Sequence, residues 1–143
     1  MKTNGPIKTL LVDDEKRSLE TMQWLLEECC PEVKIIGLCD SAFKAMDFLV
    51  QYQPDLMILD IAMPVMNGFD LINRLFPLPF PVLFVTAHNG PIVRMLKKTG
   101  IPYLLKPVDD EELTRMIKLI AQNRPLITQK QIADLGMAID QDL

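Results

Sequence analysis

A fivefold alternation of two kinds of segment constrains the fold of this chain more than any other feature. Short apolar runs occupy residues 7–12, 33–38, 56–59, 81–85 and 103–105, and a stretch with apolar residues at helical spacing follows each. Runs that are mainly apolar predict strands with both faces buried, and the stretches between them predict helical crossovers. Right-handed crossovers leave few arrangements. The pattern therefore predicts an α/β fold, a doubly wound (βα)5 sandwich with a parallel five-stranded sheet.

The composition predicts a globular domain and argues against several other classes of protein. Of the 143 residues, 49% are hydrophobic and 24% are charged, a balance typical of folded chains. The net charge of −4 argues against direct binding of a nucleic-acid backbone. No apolar run approaches the ~18–20 residues of a membrane span, and the start shows no signal peptide. We therefore expect a cytoplasmic protein without membrane association. Its three cysteines form no CxxC pair and are expected to be reduced thiols.

Polar residues follow four of the five predicted strands. Asp13 and Asp14 follow the first strand, Asp60 the third, Thr86 the fourth and Lys106 the fifth. Ligands of such sheets bind beyond the carboxyl ends of the strands, so these side chains are expected to converge. Three carboxylates at one edge repel each other unless a cation lies among them. The sequence therefore predicts a cation site at this edge.

The predicted cation is Mg²⁺, because a hard ion with oxygen ligands suits carboxylates, and the single histidine disfavours zinc. A carboxylate beside such an ion, flanked by Lys and Thr, suits nucleophilic attack on a phosphoryl donor to give an acyl phosphate.

Four segments together resemble the receiver domain of two-component response regulators. They are LVDDE at 11–15, LDIAMPVMNGFD at 59–70, VTA at 85–87 and YLLKP at 103–107. The resemblance covers about residues 8–121, with the motifs in the family's order and spacing. It implies the flavodoxin-like strand order 2-1-3-4-5 for the five-stranded parallel sheet. The segment YLLKPVDDEEL is most similar to regulators whose output is a LytTR-type DNA-binding domain.

The resemblance implies a role for each residue of the acidic edge. Asp60 is implied as the phosphorylation site. Asp13 and Asp14 are implied as magnesium ligands, together with Asp60 and the backbone carbonyl of Ala62. Lys106 is implied as the counter-ion of the phosphoryl group, and the Lys106–Pro107 peptide bond as cis.

The resemblance also implies how the signal is transmitted and ended. Thr86 is the implied switch hydroxyl, and Tyr103 the aromatic residue that turns inward when Thr86 moves to the phosphate. Ala62 and His88 lie two residues after the acceptor and two after the switch hydroxyl. They are expected to tune dephosphorylation, because they lie nearest the path of the attacking water.

The expected function is a phosphorylation-activated switch that accepts a phosphoryl group from a sensor histidine kinase or a phosphotransfer protein. Such a domain catalyses its own phosphorylation and autodephosphorylation but is not a conventional enzyme. Phosphorylation is expected to change the face built from the fourth helix, fifth strand and fifth helix, and to favour a homodimer through it. DNA binding is expected only through an output domain outside this chain.

Residues 1–123 are predicted to form the receiver domain, and residues 124–143 a linker or C-terminal tail. Pro125 ends the fifth helix, and Gly136 interrupts the apolar spacing of the tail. Such a tail suits either a linker to an output domain or the natural end of a stand-alone regulator or phosphorelay intermediate.

Three other functions share parts of this pattern. A flavodoxin-like flavin carrier needs a phosphate-binding loop after the first strand, but that loop here is acidic. A haloacid-dehalogenase-like phosphatase needs its nucleophilic aspartate after the first strand. That assignment would leave the segment after Asp60 without a role. A phosphorylation-independent docking module would not need the residues of the acidic edge. Their presence argues against it: Asp13, Asp14, Asp60, Thr86 and Lys106.

Overall fold

Five parallel strands and six helices make up the computed structural model, which describes residues 5–87 and 90–142. The strands are β1 (Ile7–Val12), β2 (Val33–Cys39), β3 (Leu56–Asp60), β4 (Val82–Thr86) and β5 (Tyr103–Leu105). The helices are α1 (Lys16–Cys29), α2 (Ala42–Gln51), α3 (Gly68–Leu75), α4 (Pro91–Thr99), α5 (Asp110–Asn123) and α6 (Gln129–Asp142). The sheet order β2-β1-β3-β4-β5 confirms the predicted doubly wound α/β topology.

Three strands end one residue later than the apolar runs predicted. Asp60 is the last residue of β3, where it pairs with Val85, and Thr86 is the last residue of β4, where it pairs with Leu105. The third is β2, which runs to Cys39. Backbone pairing continues past the apolar side chains, so Asp60 and Thr86 lie on the sheet itself.

Two hydrophobic layers cover the two faces of the sheet. One layer includes Phe84, Ile92 and Leu71, with residues of α2, α3, α4 and α6. The other includes Leu26 and Ile117, with residues of α1 and α5. Every residue of β3 and β4 is buried, as expected for central strands covered on both sides.

The start of α3 is fixed directly against the end of β3. Asn67 accepts a hydrogen bond from the backbone N–H of Asp70, and the Asp70 carboxylate accepts one from the N–H of Asn67. This capping box satisfies two free N–H groups of the helix end. A Cβ on Gly68 would lie 2.5 Å from the backbone oxygen of Asp60, so only glycine fits there.

The tail expected as a linker or end segment contains the sixth helix, which packs against α4 and α3. Ile127, Ile132 and Leu135 are buried in the layer that covers this face of the sheet. The sequence did not predict this packing.

The Lys106–Pro107 bond is cis, as the resemblance implied, and Phe76–Pro77 is also cis. Cys29, Cys30 and Cys39 are free thiols. Within the described part of the chain, no helix is both long enough and apolar enough to cross a bilayer.

Candidate functional site

Three carboxylates meet at the carboxyl edge of the sheet. Oxygen atoms of Asp13, Asp14 and Asp60 all lie within 4.8 Å of one another. Asp13 and Asp60 are buried, whereas Asp14 is exposed. β1 and β3 are neighbours in the sheet. Their carboxyl ends therefore bring Asp13 and Asp60, which are 47 positions apart, close together, as the sequence predicted.

Lys106, just after β5, supplies a positive charge to this cluster. Its Nζ lies 2.9 Å from Oδ2 of Asp13 and 3.5 Å from Oδ2 of Asp60. It also donates a hydrogen bond of 3.3 Å to Oγ of Ser18, at the start of α1. Burial disfavours the charged amine, but the hydrogen bond to Asp13 and the nearby carboxylates outweigh it and raise the pKa of Lys106.

Both carboxylate oxygens of Asp13 are engaged. The backbone N–H of Glu15 donates to Oδ1 at 2.9 Å, and Lys106 Nζ donates to Oδ2 at 2.9 Å. The Glu15 side chain is largely exposed and lies 4.0 Å from Lys106 Nζ, in keeping with a surface charge at the start of α1. Asp13 is therefore held by two donors in this arrangement.

The acceptor candidate, Asp60, resists ionisation. Burial, and next the negative charge of Asp13, raise its pKa from 3.8 to about 7. The charge of Lys106 and a hydrogen bond from the backbone N–H of Ala62 oppose this rise. The positive charge of Lys106 therefore only partly offsets the effects of burial and of Asp13 on the pKa of Asp60.

The two switch candidates lie on adjacent strands. Thr86 is fully buried at the end of β4, and its carbonyl accepts a 2.9 Å hydrogen bond from the N–H of Lys106. Tyr103 in β5 is half-buried and packs against the layer that includes α4. His88 lies outside the described residues.

The donors that converge at this edge fit Mg²⁺. They are carboxylate oxygens, which hard divalent cations prefer, and they carry more negative charge than Lys106 balances. A divalent cation among Asp13, Asp14 and Asp60 would favour the ionised form of Asp60, because its charge opposes both the burial and the carboxylate repulsion that raise the pKa of Asp60.

Two contributors to the site were not found from the sequence. Ser18 binds Lys106 across 88 positions, and a serine in the first turn of a helix gives no signal of such a partner. The backbone N–H of Ala62 bonds the Asp60 carboxylate, whereas the resemblance drew attention to the carbonyl of the same residue. The position of Ala62, two residues after Asp60, is the sequence signal that could have indicated this N–H group.

The family model described as "Response regulator receiver domain" matches residues 9–118. The transcriptional regulatory protein BtsR of Escherichia coli K12 is 31% identical over 119 residues, which are 82% of this chain and 49% of that protein. The sensory transduction protein LytT of Bacillus cereus is 34% identical over 114 residues, 78% of this chain and 46% of that protein. The chain thus spans about half the length of these relatives.

Solved structures agree on the fold. The isolated REC domain of RcsB from Salmonella enterica serovar Typhimurium, in the presence of the phosphomimetic BeF3−, superimposes with a TM-score of 0.72 at 19% identity. The match covers 92% of this chain and 99% of that one. With the family model matching most of its length, the chain belongs to the receiver domains of two-component response regulators.

Proposed function

We propose that this domain is a phosphorylation-activated switch in which Asp60 accepts a phosphoryl group from a sensor histidine kinase or a phosphotransfer protein. The observation that carries the proposal is the position of Asp60. This buried carboxylate ends a central strand, lies within 3.5 Å of the Lys106 ammonium and shares its edge with two further acids. Receiver domains generally bind Mg²⁺ at such an acidic edge.

In the proposed reaction, an oxygen of Asp60 attacks phosphorus and forms a P–O bond while the P–N bond of the donor phosphohistidine breaks. The imidazole leaves with the electron pair of the broken bond and takes up a proton. Lys106 Nζ then moves from Asp13 toward the oxygens of the phosphoryl group on Asp60. It already lies 3.5 Å from Oδ2 of Asp60. The buried edge excludes water from the carboxylate before the attack.

Asp13 and Asp14, with Asp60 and the carbonyl of Ala62, are the residues proposed to hold Mg²⁺. When bound, the ion supplies positive charge that favours the ionised acceptor and neutralises the phosphoryl oxygens. The domain would thus promote its own phosphorylation by the donor and its own dephosphorylation by water, without being a conventional enzyme.

The switch is proposed to run from Thr86 and Tyr103 to the face of α4, β5 and α5. Thr86 ends the strand next to Asp60, and Tyr103 lies on the strand beyond it. A hydroxyl that moves to the phosphoryl group vacates space into which the half-buried aromatic ring turns. We expect this change to favour a homodimer through the same face.

The output is proposed to be transcriptional. The relatives are about twice as long as this chain, and BtsR is named a transcriptional regulatory protein. Residues 1–123 would form the receiver and residues 124–143 the linker to a DNA-binding domain of LytTR type, a subfamily that the similarity to LytT fits. We expect this signalling to take place in the cytoplasm. A stand-alone regulator or phosphorelay intermediate is the alternative.

Incubation with acetyl phosphate and Mg²⁺, followed by intact-mass measurement, tests the proposal. We expect one added phosphoryl group, lost in Asp60→Asn because an amide is a poor nucleophile, and retained in the exposed control Asp47→Asn. Labelling that persists in Asp60→Asn would overturn the site. A bound yellow chromophore would favour a flavin carrier, turnover of phosphomonoesters a phosphatase, and absence of any adduct a docking module.

A further inference from the structure

The C-terminal helix α6 occupies the groove between α3 and α4. It contacts both helices, and Ile132 and Leu135 are 8% and 2% exposed there. Ile127, just before α6, is buried in the same layer. These three apolar side chains of the tail are therefore a continuation of the core.

Two specific contacts fix the position of α6 in this groove. The side-chain amide of Gln131 donates a 2.8 Å hydrogen bond to the carbonyl of Thr99, the last residue of α4. At the other helix, the ring of Phe69 lies so close to Gly136 that a Cβ there would be 2.8 Å from Cζ of Phe69. Glycine weakens a helix interior relative to alanine, and this contact explains its presence at position 136.

The same two helices are connected to the site by short paths. Gly68 lies against the backbone oxygen of Asp60, and Phe69, which contacts α6, is the next residue. On the other side, α4 begins at Pro91, five residues after Thr86. Helix α6 thus bridges the elements that follow the acceptor strand and the hydroxyl strand.

We infer that the groove between α3 and α4 is a helix-binding surface for the chain's own segment 125–142, and that phosphorylation of Asp60 weakens this docking. The inference rests on the proposed function. The contacts of α6 are fitted to one spacing of α3 and α4. Close-packed surfaces do not deform continuously, so a shift of either helix costs α6 part of its packing.

Reciprocity gives the inference a second, independent consequence. If the phosphorylated arrangement holds α6 less tightly by some factor, then a chain with α6 undocked must favour the phosphorylated arrangement by the same factor. Couplings of this kind typically amount to about 5–150-fold.

Hydrogen exchange of the whole 143-residue chain measures the docking directly. We expect the amides of residues 129–137 to exchange at least about 5-fold faster with beryllofluoride and Mg²⁺ than with Mg²⁺ alone. Beryllofluoride serves as the reversible probe because it mimics the phosphoryl group without a covalent bond.

Gly136→Ala tests the reciprocal effect by calorimetric titration with beryllofluoride and Mg²⁺. The added methyl group meets the Phe69 ring but favours the helix, so we expect it to weaken the docking of α6 without lowering its helical propensity. We expect tighter beryllofluoride binding, again by about 5-fold or more. Leu135→Ser, which undocks α6 by removing a buried side chain, should act in the same direction.

Ala133→Gln is the matched control, because residue 133 is exposed on α6 and both residues are good helix formers. It should leave both exchange and affinity unchanged. Beryllofluoride binding without faster exchange of α6, or with unchanged affinity in both undocked variants, overturns this inference and leaves the proposed function intact. Absence of beryllofluoride binding in the wild type overturns the proposed function and the inference with it.

Discussion

At the scale of single residues, the site is a cluster of negative charge with the half-buried ammonium group of Lys106 close to it. Lys106 makes its short hydrogen bond to Asp13 and only a longer contact to Asp60. Burial, and next the charge of Asp13, raise the pKa of Asp60 to about 7, and the longer contact to Lys106 only partly opposes this rise. A group with this property links the stability of the fold to the pH and to added cations.

The first prediction compares the pH dependence of wild type and Asp60→Asn in metal-free buffer. The pKa of Asp60 is raised in the folded state, so between about pH 4 and pH 7 the folded chain keeps a proton that the unfolded chain releases. The unfolding free energy of the wild type falls as pH rises through this window, and the Asn variant lacks this loss. We expect the variant to gain on the order of 2–4 kcal/mol relative to wild type by pH 8.

Urea unfolding at a series of pH values, with a chelator present, measures this difference. Added Mg²⁺ should restore stability to the wild type more than to Asp60→Asn. A difference between the two proteins that is constant from pH 4 to pH 8 would contradict the raised pKa of Asp60.

The second prediction concerns the lifetime of the phosphorylated state. Ala62 is exposed two residues after Asp60, the proposed acceptor, and has no side-chain polar atom to orient an attacking water. We expect Ala62→Asn to speed dephosphorylation, and the wild-type rate to shift modestly between pH 6 and 8 through His88. Val65→Asn, in the same loop, is the control. Decay followed by intact mass that is unchanged or slower in Ala62→Asn would reject this account.

At the scale of elements, the sequence pattern indicates where some helices and strands lie and gives no sign of the contacts that position others. Strands β1 and β5 were predicted to the residue because their apolar runs coincide with their backbone pairing. The packing of α6 was missed because Gly136 looks like an interruption until the ring of Phe69, 67 positions earlier, is placed against it. Local patterns reveal periodicity, whereas a close approach between distant segments leaves no local pattern.

The third prediction tests how β3 and α3 join. A Cβ at position 68 would meet backbone atoms of Asp60 and Ile61, which cannot rotate away as a side chain can. We expect Gly68→Ala to lower the unfolding free energy by about 1–3 kcal/mol. It should also weaken Mg²⁺ binding, because Asp60 shifts with its backbone.

Gly5→Ala is the control for this substitution, since nothing lies within 4 Å of a Cβ at position 5. Urea unfolding and a magnesium titration are the two measurements. Equal stability of Gly68→Ala and Gly5→Ala would contradict the close contact between α3 and the acceptor strand.

At the scale of the whole molecule, the proposed dimer face carries separated charges of opposite sign. Arg94, Lys97 and Lys98 are exposed on α4, and Asp110 and Glu111 are exposed at the start of α5. The acids also suit the positive end of the α5 dipole. In a two-fold dimer each contact occurs twice, so α4 of one copy facing α5 of the other pairs basic with acidic residues at both places.

The last prediction uses this symmetry with two double variants in the presence of beryllofluoride and Mg²⁺. Lys97→Glu with Lys98→Glu makes both helices acidic, and Asp110→Lys with Glu111→Lys makes both basic. Each variant alone should fail to dimerise, because like charges meet twice. Mixed in equal amounts they should form a heterodimer, because both contacts then pair opposite charges. Sedimentation velocity at ionic strength below about 0.1 M, where screening is weak, separates these outcomes. Dimerisation of either variant alone at the wild-type level would show that the two helices do not face each other. Identical sedimentation of the wild type with and without beryllofluoride would reject the dimer itself.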